Sequence, residues 1–155
     1  MKSKFLSSDP LWLNGLLFFR VAIAYFFIYF GVQVFDSEGM KGYTQWSGDL
    51  GFSPSWLWAY AGKAAELLGG ICLLLGLFTR INALLLTITM AVITFKFHEG
   101  KPLDGDALPF FLMLAAFIFF LSGPGKWSLD YWLFDRRKAK AAKGAYEANP
   151  LAIEA

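Results

Sequence analysis

Long apolar runs with few polar interruptions alternate with short polar segments along the chain. A helix of about 20 apolar residues crosses the hydrocarbon core of a bilayer. Helices are predicted rather than the strands of a membrane barrel, because runs such as FLMLAAFIFFL do not alternate between apolar and polar positions. The predicted spans are residues 13–34, 56–78, 81–97 and 107–122. The pattern therefore predicts an all-α, polytopic membrane protein built as an antiparallel four-helix bundle, with a transmembrane domain over residues 13–125.

The segments between and beyond these spans complete the domain organisation. Only residues 78–82 separate the second and third spans, so these two helices should be antiparallel neighbours. The outer loop, residues 36–54, is expected to be ordered and to carry a short helix on the membrane. The remaining segments are a cytoplasmic N-terminus (1–12), an interfacial basic and aromatic segment (126–143) and a disordered cytoplasmic tail (144–155).

The positions of the basic residues predict the orientation in the membrane. Lysine and arginine precede the first span, follow the fourth and, as Arg80, stand between the second and third, whereas the other two loops are mainly acidic. Short cytoplasmic loops are enriched in lysine and arginine, so both termini are expected to be cytoplasmic. The first span is expected to remain uncleaved, because Arg20 interrupts it and its apolar run continues to Val34.

Composition supports a membrane protein and narrows its chemistry. Apolar residues make up 57% of the chain and charged residues 17%, compared with about half and a quarter in soluble proteins. The single cysteine, Cys72, excludes an intramolecular disulfide and a Cys-x-x-Cys pair, and the single histidine, His98, excludes a bis-histidine haem within one chain. No metal site and no nucleic-acid partner are predicted.

Two ionisable residues lie deep inside the predicted spans. Arg20 is roughly 10 Å from the cytoplasmic end of the first span, and Glu66 is roughly 15 Å from the outer end of the second. The remaining axial gap of about 5 Å suggests that the two side chains form an ion pair between these helices. Such a pair can serve function, as intramembrane charges often do, or only fix the helix register.

Further polar residues cluster near the outer boundary. Lys63 lies one helical turn from Glu66 and can pair with it at i, i+3, whereas Lys96 can extend to the headgroups. Together these residues predict a polar pocket for a small anion or a quinone carbonyl. The candidate site consists of Glu66 as the catalytic group and of Arg20, Gln33, Lys63, Lys96 and His98 as ligand-binding residues.

Several motifs, taken in order, resemble the DoxX family. They are Ala65-Glu66-Leu67-Leu68-Gly69-Gly70, Leu75-Gly76-Leu77-Phe78-Thr79-Arg80, Arg20 with Gly31, Phe95…His98, and Gly123-Pro124-Gly125 followed by Ser128-Leu129-Asp130. The resemblance implies a four-helix protein of the bacterial inner membrane. Some members are the membrane subunit of a thiosulfate:quinone oxidoreductase, which implies a quinone or sulfur-anion ligand and a redox partner subunit. Disulfide exchange, known for similar bundles, requires cysteine pairs that this chain lacks.

Three functional hypotheses follow, and whether the chain is an enzyme stays open among them. The first is a redox-associated subunit that binds quinone or a small sulfur anion, with Glu66 relaying protons. The second is a non-catalytic membrane scaffold or assembly subunit in which Arg20 and Glu66 only lock the bundle. The third, a small transporter or channel, would require a homo-oligomer, because four helices of this size leave little room for a pathway in a monomer. The fourth span, which carries no charged residue to line a pathway, argues further against this hypothesis.

Overall fold

The computed structural model describes residues 15–97, 107–125 and 127–135. Within these ranges the regular structure is entirely helical, which confirms the predicted all-α class. The described residues form five α-helices: α1 (Gly15–Gly31), α2 (Ser37–Asp49), α3 (Ser55–Leu75), α4 (Thr79–Val92) and α5 (Leu108–Ser122). A 3-10 turn, Val32–Phe35, extends α1, and π-helical turns follow at Ile93–Phe97 and Tyr131–Asp135. His98 and the terminal segments 1–14 and 136–155 lie outside the described residues.

The helices have the length and composition of membrane spans. Three helical stretches in the described part of the chain are long and apolar enough to cross a bilayer: Leu16–Phe35, Ser55–Leu75 and Thr79–Lys96. The fourth, α5, is as apolar but has 15 residues, so it is about 22 Å long against a hydrocarbon core of about 30 Å. The chain thus has three to four membrane-crossing helices, as the apolar runs predicted.

Small residues let the helices of the bundle pack closely. Gly31 of α1 lies directly against the backbone of Leu67 in α3, and a Cβ on Gly70 would come within 2.9 Å of Phe27. Helices α1 and α3 therefore pack along their length, as α4 and α5 do, and α3 joins the two pairs by packing on α4. The buried core between them consists of Ala24, Phe27, Leu73, Ala83, Leu86, Met90, Leu112, Ala116 and Phe119.

The loop between α1 and α3 folds onto the bundle. Asp36 begins α2 by accepting a hydrogen bond from the backbone N–H of Glu38 at 3.2 Å, a common N-cap arrangement. Helix α2 then packs against α3 and buries Met40 and Ser47. The expected short helix is therefore present, and it contributes side chains to the interior of the bundle. We call the part of the bundle in which α2 packs on α3, and which includes Lys63 and Glu66, the Tyr43 end.

The opposite end, which we call the Arg20 end, is closed by the segment that follows α5. Gly76 ends α3 in the left-handed conformation (φ 67°), which favours glycine. Asp130 donates its backbone N–H to the Gly76 carbonyl at 2.9 Å, and its carboxylate accepts hydrogen bonds from the N–H groups of Phe78 (2.7 Å) and Thr79 (2.8 Å). The carboxylate thus caps the start of α4, where free N–H groups attract negative charge.

Candidate functional site

A buried ion pair lies in the middle of α3. Lys63 Nζ donates a hydrogen bond to Glu66 Oε2 at 2.9 Å, and the two side chains are 9% and 2% exposed. The spacing i, i+3 places both groups on one face of the helix, as predicted for Lys63. Burial in a low-dielectric interior strengthens their attraction, and either charge alone would be costly there.

Aromatic rings from α1 and α2 surround the ammonium group. Lys63 Nζ lies 4.4 Å from the ring centroid of Tyr43 and 5.9 Å from that of Phe30, within the range of cation–π attraction. The Tyr43 hydroxyl donates a hydrogen bond to Gln33 Oε1 at 2.8 Å, which holds the ring over Lys63. Tyr43 was not predicted from the sequence, because an aromatic residue in a loop gives no sign that a helix will carry it into the bundle.

A cavity of about 620 Å³ borders the ion pair. Its lining is largely aromatic and aliphatic, and Lys63 and Glu66 are the charged residues among the described ones that line it. Gly62 lies on this cavity, and its Cβ position is open, so this glycine makes space beside the ion pair rather than a helix contact. Representative lining residues are Phe30, Trp46, Phe52, Trp58, Leu85 and Met90.

The predicted Arg20–Glu66 pair is wrong. The Arg20 guanidinium donates from Nη1 to the Pro124 carbonyl and from Nη2 to the Trp127 carbonyl, both at 2.6 Å. Its Nη1 also lies 2.8 Å from the Cβ position of Gly76, ten residues beyond Glu66 on α3, or about 15 Å along the helix. The prediction assumed that α1 begins at the same depth at which α3 ends. In the structure the first turn of α1 projects beyond the end of α3, so Arg20 lies beside Gly76 rather than beside Glu66.

The other predicted site residues are dispersed. Gln33 reaches the site only through Tyr43, and neither it nor Arg20 lines the cavity. Lys96 is exposed in the π-helical turn after α4 and does not line the cavity either. The structure therefore brings together Lys63, Glu66 and, indirectly, Gln33. His98 lies outside the described residues.

The arrangement combines a buried ammonium–carboxylate pair with an apolar chamber. The Lys63 ammonium has three N–H donors, of which one goes to Glu66. The remaining donor capacity and the second carboxylate oxygen can serve a polar atom of a bound molecule. Pockets of this kind, mostly apolar with a few convergent polar groups and a volume of about 300–1,000 Å³, typically hold small organic ligands.

Comparison with known proteins places these features in a family context. A family model described as DoxX matches residues 15–99, which include the Lys63–Glu66 pair. The chain is 35% identical over 127 residues to a Bacillus subtilis protein named "Putative oxidoreductase CatD", covering 80% of this chain and 90% of that protein. It is also 35% identical over 128 residues to an uncharacterised protein of Haemophilus influenzae, covering 78% and 92%. No solved structure matches.

Proposed function

Because the chain belongs to the DoxX family, we propose that it is a redox-associated membrane protein that binds a quinone head group beside Lys63 and Glu66. One observation carries the proposal: a buried ammonium–carboxylate pair borders an apolar cavity of about 620 Å³ within the bundle. The name of the Bacillus subtilis relative supports a redox role.

The cavity suits a quinone better than a small sulfur anion. The charge of Lys63 is balanced by Glu66 at 2.9 Å, so the pair carries no net positive charge to attract an anion. Transfer of an anion into an apolar chamber without a free cation is strongly unfavourable. A flat ring with carbonyl oxygens instead gains from contact with aromatic side chains such as Trp46 and Trp58 and needs only one or two hydrogen-bond donors.

The ion pair supplies the polar chemistry of the proposal. Quinones take up two electrons and two protons to become quinols. In our proposal Lys63 donates a hydrogen bond to a carbonyl oxygen, and Glu66, which lies beside it, takes each of the two protons from water and passes it to the reduced ring. The electrons come from a donor outside the chain, either a redox partner subunit or a small reductant.

Binding of a short-tailed quinone to the full chain in lipid nanodiscs tests the proposal. Trp46 and Trp58 line the cavity, so a bound quinone should quench their fluorescence. Lys63→Met and Glu66→Gln should each weaken binding about tenfold or more, since each disrupts a buried charged hydrogen bond. The matched control is the exposed i, i+3 pair of α2, Lys41–Glu38 at 2.6 Å, for which Lys41→Met and Glu38→Gln should leave binding unchanged. Equal binding by all four variants would favour the membrane scaffold instead.

We also propose that the protein lies in the bacterial cytoplasmic membrane with both termini in the cytoplasm. The basic flanks of the spans support this orientation, and the relatives above are bacterial. In a Cys72→Ala background, Gln45→Cys on α2 should make the chain reactive toward an impermeant maleimide in intact cells, and Ala142→Cys only after lysis. If Ala142→Cys reacted in intact cells and Gln45→Cys only after lysis, both termini would lie outside the cytoplasm.

A further inference from the structure

Helices α1 and α5 are neighbours in the bundle that pack only sparsely on each other. Helix α1 packs along α3 and α4 packs along α5, whereas α1 and α5 make few contacts. A second, smaller cavity of about 330 Å³ lies in this gap. It forms an apolar groove lined by Phe19, Ile23 and Phe26 of α1 and by Phe111, Leu114 and Ile118 of α5.

The groove and the larger cavity share part of their lining. Leu108 and Leu112, in the first turns of α5, line both. These two side chains therefore separate the two spaces, and a molecule in the larger cavity reaches the groove by displacing them. Phe19 stacks on Phe119 with their ring centroids 5.6 Å apart, which places an aromatic contact on the border of the groove.

The geometry points to a tail-binding groove: we infer that the space between α1 and α5 holds the isoprenoid tail of the quinone whose head group lies beside Lys63 and Glu66. The inference rests on the proposed function and specifies its substrate class as a lipid-soluble, tailed quinone. The described residues that line the groove are all apolar, as contact with a hydrocarbon chain requires. The sparse packing of α1 on α5 gives the tail a lateral route to the lipid.

Comparison of tail lengths tests the inference in the full chain in nanodiscs. The probes are 2,3-dimethoxy-5-methylbenzoquinone, which has no tail, and its analogues with one and two isoprene units. Longer tails also partition more strongly into the bilayer, so the informative quantity is the ratio of Kd in a variant to Kd in the wild type for each probe. Partitioning cancels in that ratio.

Leu114→Phe narrows the groove, and Leu121→Phe is its matched control one heptad further along α5. Leu121 is 61% exposed and lines neither space. For Leu114→Phe we expect the Kd ratio to be near one for the tailless probe. For the probe with two isoprene units it should be about five or more, because overfilling a packed apolar site is unfavourable. For Leu121→Phe the ratio should be near one throughout.

A second variant covers the case in which the larger ring of Leu114→Phe turns outward to the lipid. Ala115 lines the groove and is 5% exposed, so Ala115→Leu adds volume inside it. Ratios that do not depend on tail length in both variants would overturn the inference, even if Lys63→Met still abolished head-group binding. A phospholipid that co-purifies with the wild type but not with these variants, together with flat ratios, would assign the groove to a lipid acyl chain. Binding of the tailless probe that Lys63→Met leaves unchanged would instead refute the proposed function.

Discussion

Both ends of the bundle bury charged side chains, but the partners of those charges differ. At the Arg20 end, the guanidinium of Arg20 and the carboxylate of Asp130 bond to backbone groups of the chain itself. At the Tyr43 end, Lys63 and Glu66 bond to each other beside a cavity of about 620 Å³. Charges that satisfy the backbone hold the fold together. A charge pair that borders a cavity keeps hydrogen-bonding capacity for another molecule.

The segments that resemble DoxX motifs divide along the same line. Leu75–Arg80 and the stretch from Gly123 to Asp130 meet at the Arg20 end, where the hydrogen bonds of Asp130 join them. The motif that contains Glu66 lies within α3, where its Ala65 and Glu66 line the cavity and its two glycines pack against neighbouring helices. The resemblance to the family does not distinguish segments that stabilise the fold from segments that bind a ligand. The contacts show that the segments at the Arg20 end stabilise the fold, and they make the motif with Glu66 the better candidate for ligand binding.

The largest effect on stability is expected when the ion pair is broken from one side. Glu66→Leu leaves Lys63 buried without its carboxylate and should lower the free energy of unfolding by about 3–5 kcal/mol. The double variant Lys63→Met/Glu66→Leu should regain most of that loss, because both charges are removed together. Unfolding in mixed detergent micelles measures both. A double variant as unstable as the single one would mean that the pair is not a coupled unit.

A somewhat smaller loss is expected for Arg20→Met. The carbonyls of Pro124 and Trp127 lose their donors, at a cost of about 2–4 kcal/mol for the two together. Quinone affinity of the folded protein should not change, since Arg20 does not line the cavity. Arg80→Met, at an exposed arginine of the same end, is the control for loss of charge. A selective loss of quinone binding in Arg20→Met would restore Arg20 to the ligand site.

Asp130→Ala tests the cap at the Arg20 end. Its carboxylate accepts two backbone hydrogen bonds at the start of α4, so the loss should be about 1–2 kcal/mol, typical of N-cap removal. Hydrogen exchange should increase first at Phe78 and Thr79, whose N–H groups lose their acceptor. Increased exchange only around Tyr43 would contradict the division between the two ends.

The smallest effect is expected for Tyr43→Phe. It removes the hydrogen bond to Gln33 but keeps the ring over Lys63, so the free energy of unfolding should fall by about 0.5–1.5 kcal/mol. Tyr43→Leu should cost more, because the cation–π contact is also lost. Equal losses in the two variants would show that the ring contributes nothing to holding Lys63.

The sequence predicted these two regions unequally. Long apolar runs predicted the helices, and the i, i+3 spacing predicted that Lys63 could meet Glu66, because both are local properties of one segment. The Arg20 contact could not be obtained by counting residues from the ends of the spans, since the register of α1 on α3 is set by the close approach of Gly31 to Leu67 and of Gly70 to Phe27. Asp130 stands in a segment that resembles a DoxX motif, but its partners are about 50 residues away, and Tyr43 also acts across a long sequence separation, so no local pattern shows what either residue contacts.

Infrared difference spectroscopy of a quinone bound to the full chain tests the central claim most directly. If Lys63 donates a hydrogen bond to the ring, the stretching band of one carbonyl, identified by isotope labelling, shifts to lower frequency than in lipid alone. In the Lys63→Met/Glu66→Leu variant that band should return to its position in lipid, whereas Lys41→Met should leave the shift intact. A carbonyl band that is the same in the wild type, the double variant and protein-free lipid would contradict a head-group site at the Lys63–Glu66 pair.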